Sequence, residues 1–222
     1  MNKLLQNVSW LAIALLICAQ NFVSAQSFTK GSLLISLSEG AAHVKYTTTN
    51  LNSGSDVTRQ GNIAGDRDPI TIEYGLTKHI GIGLNLGTDI FNVNPSEFYD
   101  FKTPSNKVKA FMSEVTVDGN YHFLSANHTD LSAFASVGMS SVSFSGNDGD
   151  RSYTYNAGGS IIRIGTKAKY YFRKRFGVHG MLSVYSANCS PVGVKGNTVG
   201  NDFATSITGY AIEFGFCYRL LH

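Results

Sequence analysis

The chain has 222 residues, a formal net charge of +3, 15 % charged residues, 23 glycines and 12 % aromatics. A balance this close to neutral excludes the basic footprint of a nucleic-acid-binding protein. The length suits one domain, and a mean hydropathy near zero is what remains when apolar and polar positions alternate and cancel.

The N-terminus reads as an export signal. Lys3 gives a positive start, Leu11 to Cys18 is a short apolar core, and Val23-Ser24-Ala25 before Gln26 fits a small-residue cleavage site. The expected organisation is a signal peptide over 1–25, cleaved after Ala25, and one domain over 26–222. The apolar run falls short of the roughly 20 residues of a spanning helix, and Ile17 is too bulky for lipid attachment at Cys18. Cys189 is expected in a loop and Cys217 near the far end of the last strand, an arrangement unsuited to a disulfide.

The first strand runs from Phe28 to about Ser38, with Leu33, Ile35 and Leu37 on one face and Ser32, Ser36 and Ser38 on the other. Ala41 to Pro69, crowded with Thr, Asn, Gly and Asp, has the composition of a solvated loop. Ile70 to Thr77 is a second alternating strand. Only Lys78 and His79 separate it from the third, where Ile80, Ile82, Leu84, Leu86 and Ile90 alternate with Gly81, Gly83, Asn85, Gly87 and Asp89. A second loop, about Phe91 to Val108, leads to a fourth strand with Phe111, Val115, Val117, Tyr121 and Phe123 against Met112, Glu114, Thr116, Asp118, Asn120 and His122. The fifth strand, Asp130 to Phe144, loses its alternation at Ser140 and Ser141, which suggests a bulge. Loop three is Ser145 to Ala157 and strand six Ser160 to Phe172; after the turn Arg173-Lys174-Arg175, strand seven carries Phe176, Val178, Leu182 and Val184. Loop four spans Ser186 to Asp202. In the last strand Tyr210, Ile212, Phe214, Phe216, Tyr218 and Leu220 alternate with Gly209, Ala211, Glu213, Gly215, Cys217 and Arg219.

Eight two-faced strands, joined alternately by long loops and short turns, predict an all-β, eight-stranded antiparallel up-and-down transmembrane barrel. A soluble barrel with the apolar face inside is the competing architecture. Against it stand the Gly, Ser, Thr and Asn of the polar face and the aromatic pairs beside the short turns, Tyr121/Phe123, Tyr170/Phe172 and Phe216/Tyr218, which form an interfacial girdle. The phrases Y-G-L-T-K-H-I-G-I-G-L-N-L-G (Tyr74 to Gly87) and K-Y-Y-F-R-K-R-F-G-V (Lys169 to Val178) within this layout resemble the OmpA/OmpX-type outer-membrane β-barrel family of the Gram-negative cell envelope. The resemblance covers essentially the mature chain. It implies an outer-membrane location, outer-membrane lipid and the barrel assembly machinery as partners, and a structural, adhesive, pore or accessory role. The ending Leu220-Leu221-His222 departs from the terminal aromatic common in that family.

With the apolar face toward lipid, Glu73, Glu114, Asp118, Arg163, Lys167, Lys169, Glu213 and Arg219 share the lumen. Strand heights put Glu73 and Asp118 near Lys167 and Lys169, and Glu114 near Arg163, an arrangement that suits a salt-bridge plug. The alternative is a narrow pore for small solutes or ions. A lipid-modifying enzyme would need a nucleophile, a base and an orienting carboxylate in reach; His43 alone is expected at the loop end, so no catalytic residue is assigned. No cofactor and no metal are expected, Asp66, Asp68, Asp148 and Asp150 reading as solvated loop acids. Phe98, Tyr99 and Phe101 in loop two are the candidate surface for an extracellular ligand. The barrel is expected to be a monomer.

Overall fold

A computed structural model describes residues 28–50, 57–93, 108–126, 128–148, 151–172, 175–193 and 203–221. Its strands are β1 (Leu33–Asn50), β2 (Val57–Gly75), β3 (Ile80–Val93), β4 (Val108–Ser125), β5 (Thr129–Asp148), β6 (Arg151–Tyr171), β7 (Phe176–Gly193) and β8 (Phe203–Leu221). Each pairs antiparallel with its chain neighbours, and β8 pairs with β1, so the sheet closes in the order β1 to β8. The expected leader, the loop aromatics Phe98, Tyr99 and Phe101, and His222 lie outside the described residues.

Cross-strand partners followed once round the wall from Leu37 pass through Ile70, Leu86, Val115, Met139, Ser160, Asn188 and Ser206 and return to β1 at Thr47. The walk from 37 to 47 is a stagger of ten residues, and a stagger of this kind requires the strands to tilt by roughly 35–45°.

The strands are longer than the alternation suggested. β1 continues through Asn50 and β2 starts at Val57, so most of the segment read as loop one is strand; β5 and β6 leave only residues 149 and 150 between them, and β7 runs to Gly193, which puts Cys189 on a strand. The expected bulge at Ser140 and Ser141 is absent. Both pair in unbroken register with β4 and β6, through Ser113 and Glu114 on one side and Gly158 and Gly159 on the other. What changes there is polarity. Val137 and Met139 face outward, whereas Val142 and Phe144, further along the same strand, face inward and are buried. β1 does the same, with Leu37 outward and Ala42, Val44 and Tyr46 inward. The apolar set changes face partway up the wall while the backbone keeps its period of two.

Toward the short turns, the outside is therefore a belt of Tyr121, Val117, Val137, Ile164, Leu182, Phe214 and their neighbours, all exposed. Toward the long-loop end, the outside is Thr47, Gln60, Asn92, Ser141 and Asn188, and the inside is an apolar core with Tyr46, Phe91, Met112, Phe144, Ile161 and Ile207. A belt of nine residues on β5 (Leu131 to Met139) or eleven on β8 (Tyr210 to Leu220) matches the roughly 9 to 11 residues of a tilted spanning strand.

Candidate functional site: the charged lumen

Below the apolar core the lumen holds two layers of buried charge, each built from inward positions of several strands. The upper layer centres on Arg67 of β2, which has no exposed surface. Its Nη1 donates to Asp89 Oδ1 of β3 at 2.7 Å, its Nε to Glu213 Oε1 of β8 at 2.6 Å, and its Nη2 to Glu114 Oε1 of β4. From β6, Arg163 Nη2 donates to Glu114 Oε2 at 2.6 Å, and its Nη1 stands 3.6 Å from Glu213 Oε1. The Tyr185 ring of β7 lies against both guanidiniums, 5.0 Å from Arg163 Cζ and 6.0 Å from Arg67 Cζ. A planar fork with five donors suits this task better than an ammonium, since one side chain can serve three carboxylates in different directions. Gly87 makes the space: a Cβ there would stand 2.8 Å from Glu114 Oε1 and 3.0 Å from Arg67 Nη2.

The lower layer sits beside the short turns. Lys169 Nζ donates to Glu73 Oε2 at 2.7 Å and lies 3.4 Å from Asp130 Oδ2. His122 stands between the same two carboxylates, with Nε2 2.8 Å from Glu73 Oε1 and Nδ1 2.7 Å from Asp130 Oδ1. Lys167 Nζ donates to Asn120 Oδ1 at 3.1 Å and Asp118 Oδ2 at 3.3 Å, and sits 4.5 Å from the centre of the Phe134 ring. Arg219 lies over the Tyr171 ring at 4.7 Å. Phe28 closes this end, its ring stacked on His122 at 3.5 Å and its N–H bonded to Ser125 Oγ. The chain enters β1 through Gly31, whose φ of 82° is in the left-handed region that glycine tolerates.

All eight lumen charges named from the sequence are inward and buried. The structure brings Glu73 to Lys169, Asp118 to Lys167, Glu114 to Arg163, and Glu213 to Arg67 and Arg163; Arg219 sits apart from the upper layer, on Tyr171. The sequence places Asp89 and His122 on the polar faces of their strands but its charge network leaves them out, together with Arg67 and Asp130. Arg67 was hidden in the supposed loop, although it continues the 69, 71, 73 phase of β2. A Ser–His contact was also missed: Ser38 Oγ lies 2.7 Å from His179 Nε2, but among the described residues no partner orients His179 Nδ1. Among the described residues no group of three side chains could hold a metal ion.

No family model matches the chain, and no curated protein matches it in sequence. Solved structures do match in fold. Outer membrane protein OprG from Pseudomonas aeruginosa aligns with a TM-score of 0.53 at 11 % identity, over 87 % of this chain and 97 % of that one. Outer membrane protein AlkL, solved in lipid bilayers, aligns with a TM-score of 0.52 at 14 % identity, over 91 % of this chain and 97 % of that one. This chain has the fold of an outer-membrane β-barrel. The apolar belt faces outward, and the lumen charges lie where that belt surrounds them.

Proposed function

We propose that the protein is a closed barrel with a structural or surface-interaction role, non-enzymatic, its long-loop end outside the cell and its lumen unable to conduct. The observation that carries this reading is the upper charge layer, in which Arg67 and Arg163 join β2, β3, β4, β6 and β8 across the lumen and Tyr185 of β7 fills beside them. An eight-stranded barrel is only wide enough inside for side chains to fill it, and these side chains meet across it. The apolar core above and Phe28 below add barriers on either side. Against catalysis, the Ser38–His179 pair has no orienting carboxylate among the described residues, and both ring nitrogens of His122 are engaged by carboxylates. Planar-bilayer recordings on the pure protein test the reading. The expected trace is flat; large, stable, ion-selective steps would replace the plug by a pore.

A further inference from the structure

The apolar belt is not level around the barrel. Because ten residues of climb are spread over eight strands, a level plane drops slightly more than one residue relative to the pairing at each step round the wall. At the height of Glu39 on β1 such a plane meets Val117, Val137, Ile164, Leu182 and Phe214, all exposed to the outside. Asp68 on β2 is level with Val115, Val184 and Ile212, and Asp66 with Met139, Ile162 and Tyr210. Glu39, Asp66 and Asp68 are themselves outward and exposed. The belt is five residues tall on β1 (Leu33 to Leu37) and seven along β2 and the residue after it (Ile70 to Leu76); Glu39 and Asp68 stand above it at heights where the rest of the wall is apolar, and Asp66 at a height where Thr88, Ser113 and Ser186 also face outward.

The β1–β2 pairing is interrupted at the same place. Pro69 has no N–H to give, and the β1–β2 pairing jumps from Leu37–Ile70 to Gly40–Arg67. Ser38 and Glu39 keep their pairing with β8, through Gly215 and Phe214, and make none with β2. Carboxylates and unpaired backbone groups both lose their hydrogen-bond partners in hydrocarbon, which is why spanning barrels keep a closed ladder and an uncharged lipid face. No ion pair among the described residues involves Glu39, Asp66 or Asp68.

We infer that the leaflet at the long-loop end is locally thin against the β1–β2 wall, so that lipid headgroups and their water, rather than acyl chains, cover Glu39, Asp66 and Asp68. The partner is a lipid headgroup whose cationic group complements the carboxylates and whose water serves the interrupted ladder. This notch is independent of whether the lumen conducts.

Tryptophan fluorescence reads it directly, because Trp10 is the chain's single tryptophan. In a Trp10→Phe background, Ala41→Trp and Val137→Trp place one reporter each on the outer face at nearly the same height, one beside the carboxylates and one on the far wall. The probes are phosphatidylcholine vesicles brominated either near the headgroup or deep in the chain. Val137→Trp is expected to emit blue-shifted and to be quenched by deep bromine; Ala41→Trp is expected to emit red-shifted and to escape it. Equal deep-chain quenching at the two positions overturns the notch. Where Ala41→Trp does not refold, Ala41→Cys carrying a nitroxide serves instead, with Cys189 and Cys217 buried. Relaxation of that label by aqueous nickel chelate supports the notch, and relaxation chiefly by oxygen overturns it.

Discussion

The half of the barrel near the short turns and the half near the long loops have the same backbone and opposite polarity. In the first, Lys169, His122, Glu73 and Asp118 are inside while Ile82, Val117 and Phe216 are outside; in the second, Tyr46, Phe91 and Phe144 are inside while Thr47, Asn92 and Ser141 are outside. Away from the carboxylates of β1 and β2, each level of the wall thus keeps one apolar face, and the surroundings decide which. Where lipid surrounds the wall, apolar side chains gain nothing by facing the lumen, and polar side chains must face inward and pair. Where water surrounds it, burial of apolar surface drives the packing as in a soluble β-barrel. The upper charge layer lies at the crossover, capped by the apolar core.

Removing the central donor should damage the membrane half most. Arg67→Ala leaves Asp89, Glu114 and Glu213 buried without their shared partner, and is expected to cost about 3–5 kcal/mol, the loss known for breaking a buried pair; the urea midpoint of the barrel refolded into vesicles measures it. The projecting half should answer to a different chemistry. Phe91→Ala empties part of an apolar core and is expected to cost about 3 kcal/mol, read in the same titration, with the bilayer trace still flat because both charge layers remain. A charge placed on the outer face sharpens the contrast further. Val137→Lys, in the belt, should cost about 2–3 kcal/mol. Ser141→Lys, four residues on and facing the same side, should stay within about 0.5 kcal/mol. Equal losses at the two sites would mean that lipid reaches Ser141 or leaves Val137.

The same inversion explains what could be read from the chain and what could not. Architecture was legible wherever one phase of alternation persisted, as from Ile80 to Ile90 and from Tyr210 to Leu220. It failed where the phase flips. Thr47, Thr48, Asn62 and Gly61 have loop composition, and only the buried Val44, Tyr46 and Ile63 among them mark a strand with a core on its other face. Arg67 was lost with that segment, and with it the centre of the upper layer. Strand heights counted from the short turns located the lower pairs because β2 and β6 are regular there and the one register shift of β4 against β5, between His122 and Leu124, lies beyond Asp118. They could not reveal that His122 bridges Glu73 and Asp130, a contact that depends on three strands meeting across a closed wall.

The seam between β1 and β8 has a kinetic consequence. Leu33 pairs with Leu221 and Asn50 with Phe203, so the ladder of greatest sequence separation joins the first strand to the last. Until it forms, every partly assembled sheet has two raw edges, and neither edge can be satisfied by lipid. Contacts so far apart in sequence are slow to find one another, and insertion is therefore expected to be rate-limited by closure rather than by the formation of individual hairpins. Arg67 and Glu213 lie on β2 and β8, on opposite sides of β1, and their 2.6 Å bond spans the seam strand. The charge layer that crosses the lumen thus also ties β2 to β8 over the seam.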